Sequence, residues 1–474
     1  MTEGKIELPK TYWGARFTSD AMDCDLPISI DSRSGCTYGC KYCFSNSLMR
    51  DTTRNEKKKN QLQNFHVSQT EFNPETFIKL LEGKMDNHWA RAMKPLIENK
   101  CPLQLGALGD PFDELDPHTG WFLKVLPHFA RLDIPMRVST KGARVLLRPE
   151  YVKALTEHPN RKIWFAFSII SSDDELIKKI DCGAPETSVR MKAIKMLTSL
   201  GYPCSLRYRP IIPPVAQRIM PNGKTDWMNL IDLAKEAGVR AISFEQIFLN
   251  QMANEKQRKL YREMCAVMGC PDFPMEWKHH SIKNQPCLRA NRFYKYNLMM
   301  SIRNYAKNAG LVVGISDPHF KEYGDYGCCC GIPRSDAVFG HYSTSMTDLV
   351  IKGRKTFERT GKNLQFRFTD FAPSWGQKIA YTNMCNVGDA DKKMVAKYKT
   401  WYDNIRDTWN EPKHPRSPYN YFEGILFPVG VDELKNVIYE YRDWATQVWK
   451  KPLPKLDVEL KVPDSTPIED FKVV

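Results

Sequence analysis

Gly35-Cys36-Thr37-Tyr38-Gly39-Cys40-Lys41-Tyr42-Cys43-Phe44 sets three cysteines at C-x-x-x-C-x-x-C spacing within eight residues. Three thiolates so close in sequence can fold round one face of an iron–sulfur cube, which usually takes four. Three leave one iron open to a small molecule. Gly35 and Gly39 let the loop turn tightly enough for backbone to approach the cluster. The apolar run at 26–30 reads as the strand that delivers the loop. The alternative is a structural zinc knuckle, which needs a fourth Cys or His. His66 and His88 are the nearest histidines and no close Cys pair follows, so the cluster reading is preferred.

The triad resembles the motif of the radical S-adenosylmethionine (SAM) superfamily. That resemblance implies a 4Fe–4S cluster held by Cys36, Cys40 and Cys43, with SAM chelated on the open iron. It implies reductive cleavage of SAM to a 5′-deoxyadenosyl radical, and Tyr42 beside the adenine.

The chain has 474 residues, enough for one large domain and an appendage. It is 42% hydrophobic and 26% charged, a globular composition. No apolar run approaches membrane-spanning length and no signal-peptide core is seen near the start. Fourteen cysteines spread over this length do not form a disulfide scaffold and, with the triad, point to a reducing cytoplasm. The formal charge of +14 suggests a polyanionic partner without choosing among DNA, RNA and a phosphorylated small molecule. The polar, basic stretch 50–59 reads as an exposed loop, either a guide for a phosphate backbone or a solubilising surface.

Downstream, strand-like runs at 103–108, 136–140, 163–169, 204–212, 241–248 and 311–315 alternate with helical patterns near 74–83, 121–131, 149–157, 187–200 and 228–238. Gly201 and Gly238 close the last two. Strand–helix alternation predicts an α/β fold with parallel strands and right-handed crossovers. With 26–30 as first strand there are six or seven units, a partial or complete β/α barrel with chemistry at the C-terminal strand ends.

Those ends carry the candidate residues. Gly106-Ala107-Leu108-Gly109-Asp110-Pro111-Phe112-Asp113-Glu114 offers two glycines for close backbone approach and Asp110 as acceptor for an ammonium group. Ser139-Thr140-Lys141-Gly142 ends the next strand and Ser168 the one after. In Arg207-Tyr208-Arg209-Pro210-Ile211-Ile212-Pro213 the two arginines share a strand face. Facing inward they suit a carboxylate; facing outward they would meet helix-borne acids. Glu245 is a candidate for a ribose contact or a structural pair.

The order of these motifs over roughly 25–250 resembles the spore photoproduct lyase branch of radical SAM proteins, which acts on thymine-derived groups in DNA. Gly106, Gly109, Asp110, Ser139, Lys141, Ser168 and Glu245 join Tyr42 as implied cofactor contacts. In that branch a hydrogen-donor cysteine immediately precedes the acidic motif; here Ala107 and Leu108 stand there, and Cys101 comes too early. The departure turns the reading toward similar phage enzymes of thymidine hypermodification, a process of restriction evasion. Their radical SAM isomerase converts an N-linked glycyl substituent on the thymine methylene into a C-linked one. Arg207 or Arg209 would clamp its carboxylate. This isomerase ranks first, lyase-type repair second, RNA or small-molecule modification third. The rival outside enzymology is a metal-stabilised nucleic-acid-binding protein. Modified thymidine in DNA, a flavodoxin or ferredoxin as electron donor, no membrane, and the cytoplasm (a host's, if phage-encoded) complete the expectation.

The domains are expected as an extension over 1–24, a barrel over 25–320 and a basic C-terminal region, α/β or mostly helical, over 321–474. Cys287, Cys328-Cys329-Cys330 and Cys385 are candidates for a second cluster or zinc, or buried thiols. Lys352-Gly353-Arg354-Lys355 and Phe366-Arg367-Phe368 mix cations with aromatics, as base-stacking surfaces and ordinary α/β appendages both do. Leu434, Val437, Ile438, Tyr441 and Ala445 predict a helix over 432–450. The tail after Lys451 is expected to be extended.

Overall fold

The computed structural model describes residues 10–11, 15–17, 26, 28–43, 45, 70–250, 278–282, 285–289, 292–318, 320–325, 332–333, 336, 338–339, 345–371, 401–414 and 416–443. The basic stretch 50–59, Cys328-Cys329-Cys330, Cys385 and the tail after Lys451 lie outside these residues, as does the side chain of Cys287.

Seven parallel strands form one sheet: β1 (Ile28–Ile30), β2 (Leu103–Leu105), β3 (Met136–Thr140), β4 (Ile163–Ser168), β5 (Cys204–Ile211), β6 (Ala241–Gln246) and β7 (Val312–Ile315). Each pairs with the next in sequence. A short strand, Ala15–Phe17, lies antiparallel on the outer edge of β1. Among the described residues β1 and β7 do not pair with one another, so the sheet is an arc, a partial β/α barrel.

Helices α1 (Pro74–Leu81), α2 (His88–Glu98), α3 (Trp121–Leu132), α4 (Pro149–Glu157), α5 (Asp174–Ile180), α6 (Thr187–Ser199), α7 (Asp226–Glu236) and α8 (Arg292–Asn308) fill the crossovers. Local chemistry sets their ends. Asn73 caps α1 by accepting from the Thr76 N–H at 3.0 Å, with Pro74 in the first turn. Asp173 caps α5 through the Glu175 and Leu176 N–H groups. Past α6, Gly201 takes the left-handed conformation at φ 88°.

Alternation sorts the side chains of β4. Ile163, Phe165 and Phe167 pack outward with Leu155, Ile194 and Leu197 of the helix layer. Trp164 points inward, where Leu26, Ala241, Ile332 and Phe339 join it in an apolar floor. Both faces are buried, so the strand reads as a continuous apolar run. After β6, the strands Phe248–Asn250, Lys278–Ile282 and Gln285–Arg289 form a small antiparallel sheet.

The C-terminal region is α/β. Helices α9 (Met346–Thr360) and α10 (Trp401–Asn410) accompany an antiparallel sheet of β8 (Gln365–Phe366), β9 (Leu426–Val431) and β10 (Val437–Tyr441), in the order β8-β10-β9. The helix expected over 432–450 is corrected here. Residues 432–436 are a turn and 437–441 a strand paired with β9; 444–450 lie outside the described residues. Val437, Tyr439 and Tyr441 are buried in strict alternation, whereas Leu434 is exposed. Trp409 supplies the reason, stacking on Phe371 and edge-on against Tyr439 at 5.0 Å. Helix α9 closes on the strand at Gly353, where an added Cβ would stand 2.5 Å from Tyr441 Cβ. Among the described residues no helix is long and apolar enough to cross a membrane.

Candidate active site

The cysteine loop leaves β1 and is held by neighbours distant in sequence. The Gly39 N–H donates to the Cys182 carbonyl at 2.8 Å and the Lys41 N–H to the Ile180 carbonyl at 3.0 Å. The Thr37 N–H donates to Asp113 Oδ2 at 2.8 Å, and the Tyr38 hydroxyl to the Phe112 carbonyl at 3.1 Å. Asp113 is fixed by Arg33, whose buried guanidinium also reaches Asp116 at 3.2 Å; Asp116 accepts from the Tyr151 hydroxyl at 2.5 Å. Gly109 lets the loop after β2 press on the cysteine loop: a Cβ there would lie 2.7 Å from the Gly35 carbonyl oxygen.

These anchors leave Cys36, Cys40 and Cys43 on the wall of a cavity of about 390 Å³ at the C-terminal ends of the strands. The other candidates line it too. Tyr42 comes from the cysteine loop, and Gly106, Ala107, Leu108, Gly109 and Asp110 follow β2. Ser139 and Lys141 stand at the end of β3, Ser168 on β4, Arg207 and Arg209 on β5, and Glu245 on β6. Both arginines therefore turn to the interior, and Arg207 Nη1 donates to Ser168 Oγ at 3.3 Å. Ala107 and Leu108 occupy cavity wall without a thiol.

Asp110 has local partners in place of an ammonium. Its oxygens accept from the Thr140 hydroxyl at 2.7 Å, the Lys141 N–H at 2.5 Å and the Phe112 N–H at 3.0 Å. Burial outweighs these bonds and raises its carboxyl to about 6.

Lys141 points instead to a carboxylate absent from the sequence reading. Its Nζ donates to Asp181 Oδ1 at 2.8 Å and to the Tyr42 hydroxyl, 4.6 Å from the Tyr42 ring centroid. Tyr42 donates to the same Asp181 oxygen, and Arg190 Nη2 to the other at 2.8 Å. Burial opposes ionisation of Asp181, but Lys141 and Arg190 outweigh it and hold the carboxyl at about 2. Only the helix pattern around 190 was visible beforehand; nothing local marked Asp181 as its partner.

The donor set suits an iron–sulfur cube in kind. Three thiols from one loop share a wall with Tyr38 and Ala184. Among the described residues no three His, Cys, Asp or Glu side chains converge as a single-ion site. A cube asks each thiolate to meet a different iron, so its ligands need not converge on one point. Burial, with nearby Asp113 and Asp110, pushes the Cys36 thiol well up; burial, in the main, pushes Cys40 up to about 12. A cationic centre would reverse this preference and release the protons.

No family model matches the chain. Uncharacterised proteins of Mycobacterium bovis and Mycobacterium tuberculosis are each 22% identical to it over 188 residues, 39% of this chain and 49% of theirs. The chain thus spans about half the length of the curated relatives it matches. Among solved structures, spore photoproduct lyase complexed with dinucleoside spore photoproduct aligns at TM-score 0.45 and 14% identity, over 65% of this chain and 80% of that one. Streptococcus suis SuiB bound to precursor peptide SuiA aligns at TM-score 0.36 and 13% identity, over 62% and 50%. Likeness of this degree bears on neither substrate nor reaction.

Proposed function

We propose that this chain is a radical SAM enzyme acting on a modified thymine base in DNA. One observation carries the reading: the three cysteines, Tyr42 and the paired arginines all open on one cavity at the C-terminal ends of the parallel strands. Cys36, Cys40 and Cys43 would hold a 4Fe–4S cluster. Tyr42, Gly106, Gly109, Asp110, Ser139, Lys141, Ser168 and Glu245 would surround SAM. When bound, the pair supplies a 5′-deoxyadenosyl radical that removes hydrogen from unactivated carbon. The apolar floor below and the tight loops above would shield the reacting atoms from water.

The finer proposal is an isomerisation. A hydrogen leaves the glycine α-carbon of an N-linked glycyl thymidine. The methylene–nitrogen bond breaks, a methylene–carbon bond forms, and a hydrogen is restored to nitrogen, so substrate and product are isomers at the same oxidation level. Arg207 or Arg209 would clamp the glycyl carboxylate as a planar fork. A wall of Ala107 and Leu108, with no thiol to quench a thymine radical, favours this over lyase-type repair. The +14 charge favours a nucleic-acid substrate, and a duplex base would have to flip out to enter.

Anaerobic purification with iron and sulfide analysis, SAM cleavage assays and mass spectrometry of DNA nucleosides test the reading. Iron, sulfide and 5′-deoxyadenosine are expected, with loss of iron on replacing any of the three cysteines by Ala. Stoichiometric zinc without iron would end it.

A further inference from the structure

The inner face of β3 carries Arg137 two residues before Ser139. Arg137 is 2% exposed, and among the described residues its side-chain partners are an amide and a hydroxyl, not a carboxylate. Its Nη1 donates to Gln104 Oε1 at 2.6 Å and to the Ser139 hydroxyl. Its Nε and Nη2 are buried without hydrogen-bond partners among the described residues. Gln104 lies opposite Arg137 in the β2–β3 register, and its Nε2 donates to Ser139 Oγ at 3.1 Å. The amide orientation is dictated: with Oε1 on a guanidinium, Nε2 is the atom left for the hydroxyl.

Ser139 therefore receives two hydrogen bonds. A serine hydroxyl has two lone pairs and one hydrogen. With both lone pairs engaged, Ser139 has one bond left to make, as a donor. It is 7% exposed and lines the cavity. We infer that Ser139 is a fixed hydrogen-bond donor to an anionic or carbonyl oxygen of the ligand in this cavity, with Arg137 as the positioning residue behind it.

The inference deepens the function proposed above and rests on it for taking the cavity as a ligand site. Arg137 brings a buried charge that bonds no acid among the described residues, and in a poorly polarisable interior that charge strengthens the donor it touches. A carboxylate or carbonyl oxygen is accepted there. A cation or a second donor would meet the Ser139 hydrogen head-on and is rejected.

The test uses full-length, anaerobically reconstituted protein and two probes. One is SAM, read by calorimetry. The other is sodium acetate, read as thermal stabilisation against sodium chloride at equal ionic strength. Ser139→Ala should weaken the response to at least one probe about tenfold, the worth of one hydrogen bond to a charged group. Arg137→Met should weaken the same probe, and the double variant should lose no more than Ser139→Ala alone. If Arg137→Met does not fold, Gln104→Leu takes its place, with the same non-additive loss expected. A fall in SAM affinity assigns the acceptor to SAM; a fall in the acetate response alone assigns it to the second ligand. Unchanged responses to both probes in Ser139→Ala, no response to either probe in the wild type, or additive losses would overturn the inference. SAM that fails to bind the wild type overturns the radical reading, and the acetate arm still decides this one.

Discussion

The Lys141 ammonium donates to the Asp181 carboxylate at 2.8 Å, tying the end of β3 to the end of α5. Arg190 holds the other Asp181 oxygen, and all three groups are buried or nearly so. Asp181→Asn would leave two cations facing a neutral amide. Breaking one partner out of a buried ion pair costs about 3–5 kcal/mol. Denaturant unfolding of the variant should show a loss of that order. A loss below about 1 kcal/mol would mean that the cations escape to water, as exposed pairs do.

Arg207 and Arg209 share the cavity face of β5. Arg→Lys at either keeps charge but loses the planar fork, so it should not restore function. A lost bond to a charged group costs about 1.5–3 kcal/mol, roughly ten- to hundredfold in affinity. An arginine that serves SAM would, once replaced, weaken SAM binding and abolish cleavage without substrate. One that serves the substrate would leave uncoupled SAM cleavage intact while isomerisation fails. Full turnover in variants at both positions would remove the carboxylate clamp.

His158, after α4, is buried, and both its ring nitrogens lack hydrogen-bond partners among the described residues. Burial, reinforced by Arg161, lowers its pKa to about 4. The folded chain thus binds the imidazole proton less readily than the unfolded chain, whose histidines titrate near about 6.5. Its contribution to stability is complete above that value and is lost as pH falls toward 4, on the order of 2 kcal/mol over the window. Unfolding curves from pH 7 to 4 should show the decline, and His158→Phe should flatten it. Parallel profiles for the two proteins would contradict the assignment.

If DNA is the substrate, affinity should fall as salt rises, because each bound phosphate releases counterions at a slope of about −0.9. Lys352, Lys355 and Arg359 line one groove of α9. Replacing all three by Glu should lower the slope by up to about three phosphates' worth, measured by fluorescence anisotropy from 50 to 300 mM salt. Affinity for DNA indifferent to salt would move the substrate to a free nucleoside.

Parallel strands were readable because burial on both faces leaves apolar runs, as in Ile-Trp-Phe-Ala-Phe-Ser at 163–168. The helices expected near 74–83 and 149–157 do begin at Pro74 and Pro149, where a missing N–H costs no hydrogen bond. The wall of the cavity followed from strand ends. The ionic partners did not. Asp181 lies 40 residues from Lys141 and 139 from Tyr42, and no spacing rule links them. Nothing in the run at 136–140 marks Arg137; its partners, Gln104 on the neighbouring strand and Ser139, show what it holds. The 432–450 stretch failed differently. Val437 and Tyr441, four apart, fit helical and strand periods alike, and Trp409, from another segment, decides for the strand.

The anchoring of the cysteine loop also has a consequence in time. Its cysteines are made well before its anchors, because the carbonyls that receive Gly39 and Lys41 belong to Cys182 and Ile180. A nascent chain that has not reached α5 carries every proposed cluster ligand without the bonds that shape their loop. If these cysteines hold a cluster as proposed, the loop that shapes their nest is complete only once the fourth crossover has been synthesised and docked.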